Sequence, residues 1–86
     1  MQKFTHQIQN RTGLHARVAI KIFHFSLNHR PCVIRLKYRD TNIRTDRLIE
    51  MINAPAKKGE DIIFEIEGEH EESILHKLQS LCNKIL

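Results

Sequence analysis

The chain has 86 residues, 41% hydrophobic and 28% charged, with a formal net charge of +4. That length supports one hydrophobic core, so a single domain over residues 1–86 is expected, and the composition excludes a disordered or fibrous chain. No apolar run approaches the ~18 residues of a membrane span and no secretory signal opens the sequence, which points to a cytoplasmic protein without a membrane partner.

Gln2 to Ile8 alternates, with Phe4, His6 and Ile8 on one side and Lys3, Thr5 and Gln7 on the other, the period of a half-buried strand. Asn10-Arg11-Thr12-Gly13 breaks it. Ala16 to Leu27 carries apolar residues at Ala16, Ala19, Ile20, Phe23 and Leu27, the stripe of an amphipathic helix. Asn28 to Pro31 ends that helix. Cys32 to Tyr38 alternates again, with Ile34, Leu36 and Tyr38 facing one way. Arg39 to Asn42 reads as a turn and Ile43-Arg44-Thr45 as a short returning strand. Asp46 suits the N-cap of a short helix through Asn53, with Leu48, Ile49, Met51 and Ile52 as its apolar members.

Pro55 and Gly59 bracket a loop, and Asp61 to Glu67 forms a strand with Ile62, Phe64 and Ile66 inward. The last helix, Glu71 to Ile85, has an acidic first turn that complements the helix dipole, and an inner face of Ile74, Leu75, Leu78, Leu81, Cys82 and Ile85. The order β-α-β-β-α-β-α implies an α+β fold: a four-stranded antiparallel sheet with three helices on one face.

Charge is unevenly spread. Up to Glu50, ten Lys and Arg face only Asp40, Asp46 and Glu50, for +7; from Met51 onward four Lys face seven acids, for −3. A basic half suits an acidic partner surface or nucleic acid. Cys32 and Cys82 lack both metal-ligand spacing and disulfide density, and are expected to be reduced thiols. His24 and His29 are five apart and His70 and His76 six apart, with no carboxylate or thiol to complete either pair, so neither metal nor cofactor is expected. The run Glu65, Glu67, Glu69, Glu71 and Glu72 reads as a solvated face.

One stretch has the makings of a reactive site. In Gly13-Leu14-His15-Ala16-Arg17 a histidine stands where a loop becomes a helix, and an arginine follows two residues later. A helix N-terminus presents unpaired N–H groups and a positive dipole end, both suited to an anion. A phosphoryl group on His15 would meet the backbone at Ala16 and Arg17 and the guanidinium of Arg17, whose planar fork matches phosphate oxygens. The same field favours the neutral, nucleophilic imidazole. A helix cap and a solvated arginine would look the same on these residues alone.

Gly13-Leu14-His15-Ala16-Arg17-Val18-Ala19 resembles the phosphoacceptor signature GLHARPA of the HPr phosphocarriers of the bacterial phosphoenolpyruvate-dependent sugar phosphotransferase system. Length and element order resemble that family over essentially the whole chain. The resemblance implies an open-faced β-sandwich and a stoichiometric carrier, not a turnover enzyme. His15 would accept a phosphoryl group from phosphorylated enzyme I as a pros-phosphohistidine, with Arg17 neutralising its charge, and pass it to a histidine of an enzyme IIA domain.

The family's middle helix supplies an apolar docking patch. Its positions fall here on Leu48, Ile49 and Ile52, ringed by Arg17, Arg44 and Arg47, and Leu48 at least is expected to stay accessible. Two departures stand out. The family's proline is Val18, which restores a backbone donor in the first turn. The regulatory serine of many Gram-positive members falls on Arg47, beside Asp46, with Thr45 near but not aligned, so regulation by a serine kinase is expected to be absent.

The Val18 change and the basic half keep a second reading open: a regulatory paralogue that delivers its phosphoryl group to, or binds, a transcription or metabolic regulator. A nucleic-acid-binding module is disfavoured because exposed aromatics and a binding motif are lacking. A monomer is expected.

Overall fold

Alternating side chains build the sheet, and their burial follows the sequence closely. The computed structural model describes residues 1–54 and 56–86. Its elements are β1 (Gln2–Gln7), α1 (Ala16–Asn28), β2 (Val33–Tyr38), β3 (Thr41–Arg44), α2 (Leu48–Ile52), β4 (Asp61–Glu67) and α3 (Glu71–Ile85). The strands form one sheet in the order β1-β4-β2-β3, and every neighbouring pair is antiparallel. Ile34, Leu36 and Tyr38 of β2 and Ile62, Phe64 and Ile66 of β4 are buried, against Ile22 of α1, Met51 of α2 and Leu78 and Cys82 of α3. Phe64 lies opposite Phe4 on one side and Leu36 on the other, with the two phenyl rings stacked at 5.3 Å. Burying each such side chain contributes about 1.5–3 kcal/mol, so these central positions anchor the fold. Across the open face, Lys37 pairs with Glu65 at 3.1 Å and Arg35 reaches Glu67 at 3.9 Å.

Three local features differ from the sequence reading. The buried stripe of α1 is Val18, Ala19, Ile22 and Ser26, while Ile20 is 40% exposed. This is the expected stripe moved back by one residue, a rotation of ~100°. Most of α1 is apolar, so hydropathy alone does not choose its inner face. Contact with Thr45 does: the Ser26 and Thr45 hydroxyls bond to each other, one giving its proton to its neighbour and the other donating to a backbone carbonyl, with the Ile22 carbonyl 3.1 Å from Ser26 and that of Ile34 3.0 Å from Thr45. Polar side chains are thereby buried with partners.

β3 begins at Thr41, two residues earlier than expected, because the turn is confined to Arg39 and Asp40, with Arg39 at φ 55°. Asp46 does not cap α2. Its carboxylate binds the Arg44 guanidinium at 3.1 and 2.8 Å, which holds it below the usual carboxylate range, and Arg47 takes the cap position without a side-chain bond. A forked pair with a charged neighbour outcompetes one backbone amide. Pro55, expected to open the following loop, lies outside the described residues.

Glu60 ties that loop to the β2–β3 turn. Its carboxylate accepts from the Lys57 N–H at 2.8 Å, the Tyr38 hydroxyl at 2.9 Å and the Arg39 guanidinium at 2.8 Å. These bonds, the Lys57 amide first, hold its carboxyl below the usual range. A group depressed in this way stabilises the fold above its unfolded value and loses that contribution as pH falls through the folded one. Glu60→Gln should therefore melt below the wild type at neutral pH, and the gap should close as the pH drops below about 4. Thermal denaturation across that range measures it; a gap independent of pH would contradict the assignment.

Candidate functional site

The site is assembled where the loop after β1 meets the loop before β4. Ile8 continues past β1 by donating to the Glu60 carbonyl at 2.9 Å and accepting from Gly59 at 2.8 Å. The chain then turns through Asn10 to Gly13. Gly13 has φ +68°, and a Cβ there would lie 2.3 Å from the Ala56 carbonyl oxygen. Only glycine satisfies both the left-handed backbone and the close approach. Leu14 next donates its N–H to that carbonyl at 3.0 Å and buries its side chain in the core, 4% exposed. With Leu14 committed inward, His15 is carried to the surface.

His15 is the N-cap of α1, with extended backbone at φ −110° and ψ 178°. Its N–H bonds the Gly13 carbonyl at 3.1 Å and its own carbonyl accepts from Ala19 at 2.9 Å, opening the helix ladder. The ring stands over the helix end, where Nδ1 accepts from the Arg17 N–H at 3.3 Å. An imidazole nitrogen that accepts a hydrogen bond carries no proton, so this contact assigns the neutral ring its proton on Nε2. Nδ1 therefore offers a lone pair at the positive end of α1, a helix with no acidic residue in its first turn. Ala16 and Arg17 are exposed, and Arg17 makes no ion pair among the described residues. A half-exposed histidine, first-turn amides of which that of Arg17 is held on Nδ1, and the Arg17 guanidinium can together accept a transferred anionic group.

The expected docking residues lie beyond this helix end. A shallow cavity of about 410 Å³ is lined by Phe23 of α1 and by Asp46, Arg47, Leu48, Ile49 and Glu50. Phe23 is eight residues from His15, about 12 Å along the helix. Ile49 is 68% exposed, Leu48 and Ile52 are half-buried against the core, and Arg47 is exposed. The exposure expected of Leu48 thus falls mainly on Ile49, because a five-residue helix packing Met51 inward turns position 49 outward. Arg44, expected on the rim, is held by Asp46.

Both cysteines are free and buried; burial pushes the Cys82 thiol up to about 12 and raises that of Cys32, so neither is a ready nucleophile. Among the described residues no three His, Cys, Asp or Glu side chains gather to hold a metal ion. No helix among them is long and apolar enough to cross a membrane. Sequence reasoning missed Asn10 and Ala56. Asparagine in a turn is commonplace, and nothing in the sequence pairs residue 56 with residue 13.

The family model described as the PTS HPr component phosphorylation site matches residues 2–84. The chain belongs to the HPr phosphocarrier family of the phosphotransferase system. A direct search among curated protein sequences finds no match, so shape supplies the remaining comparisons. HPr-C-His from Thermoanaerobacter tengcongensis is 23% identical, with 96% of this chain and 92% of that one aligned and a TM-score of 0.87. The phosphocarrier HPr of Bacillus anthracis is 18% identical over 93% and 94% of the two chains, with a TM-score of 0.82. The Crh protein of Bacillus subtilis, described as a domain-swapped dimer, is 18% identical over 98% and 95%, with a TM-score of 0.74. These likenesses show an HPr fold. Where the HPr signature has proline, Val18 is buried in the core at the third position of α1.

Gly13→Ala should destabilise the protein by at least ~2 kcal/mol, since left-handed strain adds to the overlap with Ala56. Denaturant unfolding measures this; a loss below half of that would mean that the two loops separate easily.

Proposed function

We propose that His15 is a phosphoacceptor, taking a phosphoryl group on Nδ1 from phosphorylated enzyme I and passing it to a histidine of an enzyme IIA domain. The observation that carries this reading is the Nδ1 lone pair aimed along the N-terminus of α1. Membership of a phosphocarrier family supports it. In transfer, the Nδ1–P bond forms as the bond to the donor breaks, and the electron pair of that bond stays with the donor. The proton on Nε2 does not move.

The Arg17 amide, released from Nδ1, is then free to donate to a phosphoryl oxygen. The Ala16 amide and the Arg17 guanidinium share the remaining charge. Phosphoryl transfer through a loose transition state asks for positioning and charge more than for covalent chemistry, so this small set suffices. The chain then acts as a stoichiometric carrier, as a monomer and in the cytoplasm. Ile49 forms the centre of the docking patch, Leu48 and Ile52 its flanks and Arg47 part of its basic rim.

With enzyme I and labelled phosphoenolpyruvate, the wild type should gain an acid-labile, base-stable label that His15→Ala lacks entirely. Label on that variant at wild-type yield would overturn the reading. Arg17→Ala should keep its melting temperature, because the side chain is exposed, while uptake slows ~10²-fold. For the docking surface, Ile49→Glu should raise the enzyme I concentration needed for half-maximal uptake by ~10-fold or more at unchanged stability. Saturation curves with the two proteins decide this. Uptake without onward transfer to any enzyme IIA domain would favour a regulatory recipient.

A further inference from the structure

The turn that delivers His15 is closed mainly by a side chain. Across residues 10–13 the backbone contributes one long bond, Gly13 N–H to the Asn10 carbonyl at 3.4 Å. The Asn10 carboxamide makes a shorter one, donating from Nδ2 to the Gly13 carbonyl at 2.9 Å, with a further contact to the Thr12 hydroxyl at 3.4 Å. The Asn10 backbone is itself held, its N–H reaching the main-chain oxygen of Leu86 at 3.0 Å. Asn10 is therefore a fixed post, and its amide reaches across the turn.

What it grips matters more than the grip. The Gly13 carbonyl also accepts the His15 N–H, so its direction sets the plane of the Gly13–Leu14 peptide. The other side of that peptide is the Leu14 N–H bound to Ala56. Together they fix the approach to His15, and so the angle at which Nδ1 meets the Arg17 amide. Meanwhile the Asn10 Oδ1 is buried without a hydrogen-bond partner among the described residues. Such an oxygen disfavours the folded state, and a residue kept only for stability would have no need of it. We infer that Asn10 is a positioning residue, whose carboxamide holds the Gly13 carbonyl and thereby the ring of His15 against the N-terminus of α1. Its consequence for transfer rests on the phosphoacceptor reading of His15; its geometry does not.

The test uses Asn10→Ala, which deletes the donor, and Asn10→Asp, which keeps the shape but turns an acceptor toward the Gly13 carbonyl. NMR of the unphosphorylated proteins at neutral pH reads the Gly13 carbonyl ¹³C shift, the His15 Nδ1 ¹⁵N shift and the Arg17 amide exchange rate. In both variants the Gly13 and His15 resonances should move, and Arg17 exchange should quicken several-fold, while amides of α3 keep their shifts. Phosphoryl uptake from enzyme I should slow by ~10-fold, the cost of a misaligned nucleophile. His15 and Arg17 signals that superimpose on the wild type would overturn the inference whatever the transfer rate. So would changes spread evenly over the chain, or failure of both variants to fold, either of which would make the role purely structural. If the wild type itself takes up no label, the phosphoacceptor reading fails, and the NMR comparison still decides the positioning of His15 by Asn10.

Discussion

The contact of Gly13 with the Ala56 carbonyl is the constraint from which the site follows. Two stretches of backbone more than forty residues apart are brought so close that no side chain fits between them. The Leu14 amide then seals the contact, and its side chain enters the core. A residue between an inward leucine and a helix has little choice but to face outward at the helix end. His15 is half-exposed and oriented because its neighbours are committed elsewhere. Glu60 reinforces the arrangement from beneath, since the carboxylate that binds Lys57 also holds the β2–β3 turn.

The distribution of ion pairs serves the same end. The cations of the open sheet face, Arg35 and Lys37, are matched by Glu67 and Glu65 of β4, and Arg44 is matched by Asp46. Exposed pairs of this kind contribute little to stability, but they leave the positive field of the basic half concentrated where pairing is absent. Among the described residues Arg17 and Arg47 belong to that unpaired set. An anionic group, or an acidic protein surface, meets uncompensated charge at the α1–α2 side of the molecule. The exposed Ile49 lines one shallow cavity with Arg47. In the docking role proposed for this patch, electrostatic attraction with an apolar centre would suit encounters that form and dissolve quickly.

Much of this was legible in the sequence. Alternation placed β2 and β4 with the right inward residues, because a half-buried strand shows its two faces directly in its period. The spacing Gly13, His15, Arg17 was enough to put a histidine at a helix start, since local backbone chemistry governs such boundaries. What the sequence by itself determined, then, was the order of elements, the sheet's inner face and the chemistry available at the start of α1.

Tertiary structure decided the rest, wherever two local solutions were nearly equal or a contact joined distant residues. The inner face of α1 was ambiguous because the helix is apolar around most of its circumference, and the Ser26–Thr45 bond selected one rotation. Asp46 could have capped α2, but a forked pair with Arg44 is stronger than one backbone bond. Ile49, not Leu48, became the most exposed apolar residue of α2 because Met51 took the core. The roles of Asn10 and Ala56 were hidden because hydrogen bonds to backbone carbonyls leave no trace in composition or period. A sequence lists which groups are present; which carbonyl each donor meets depends on chain segments brought together by burial of the core.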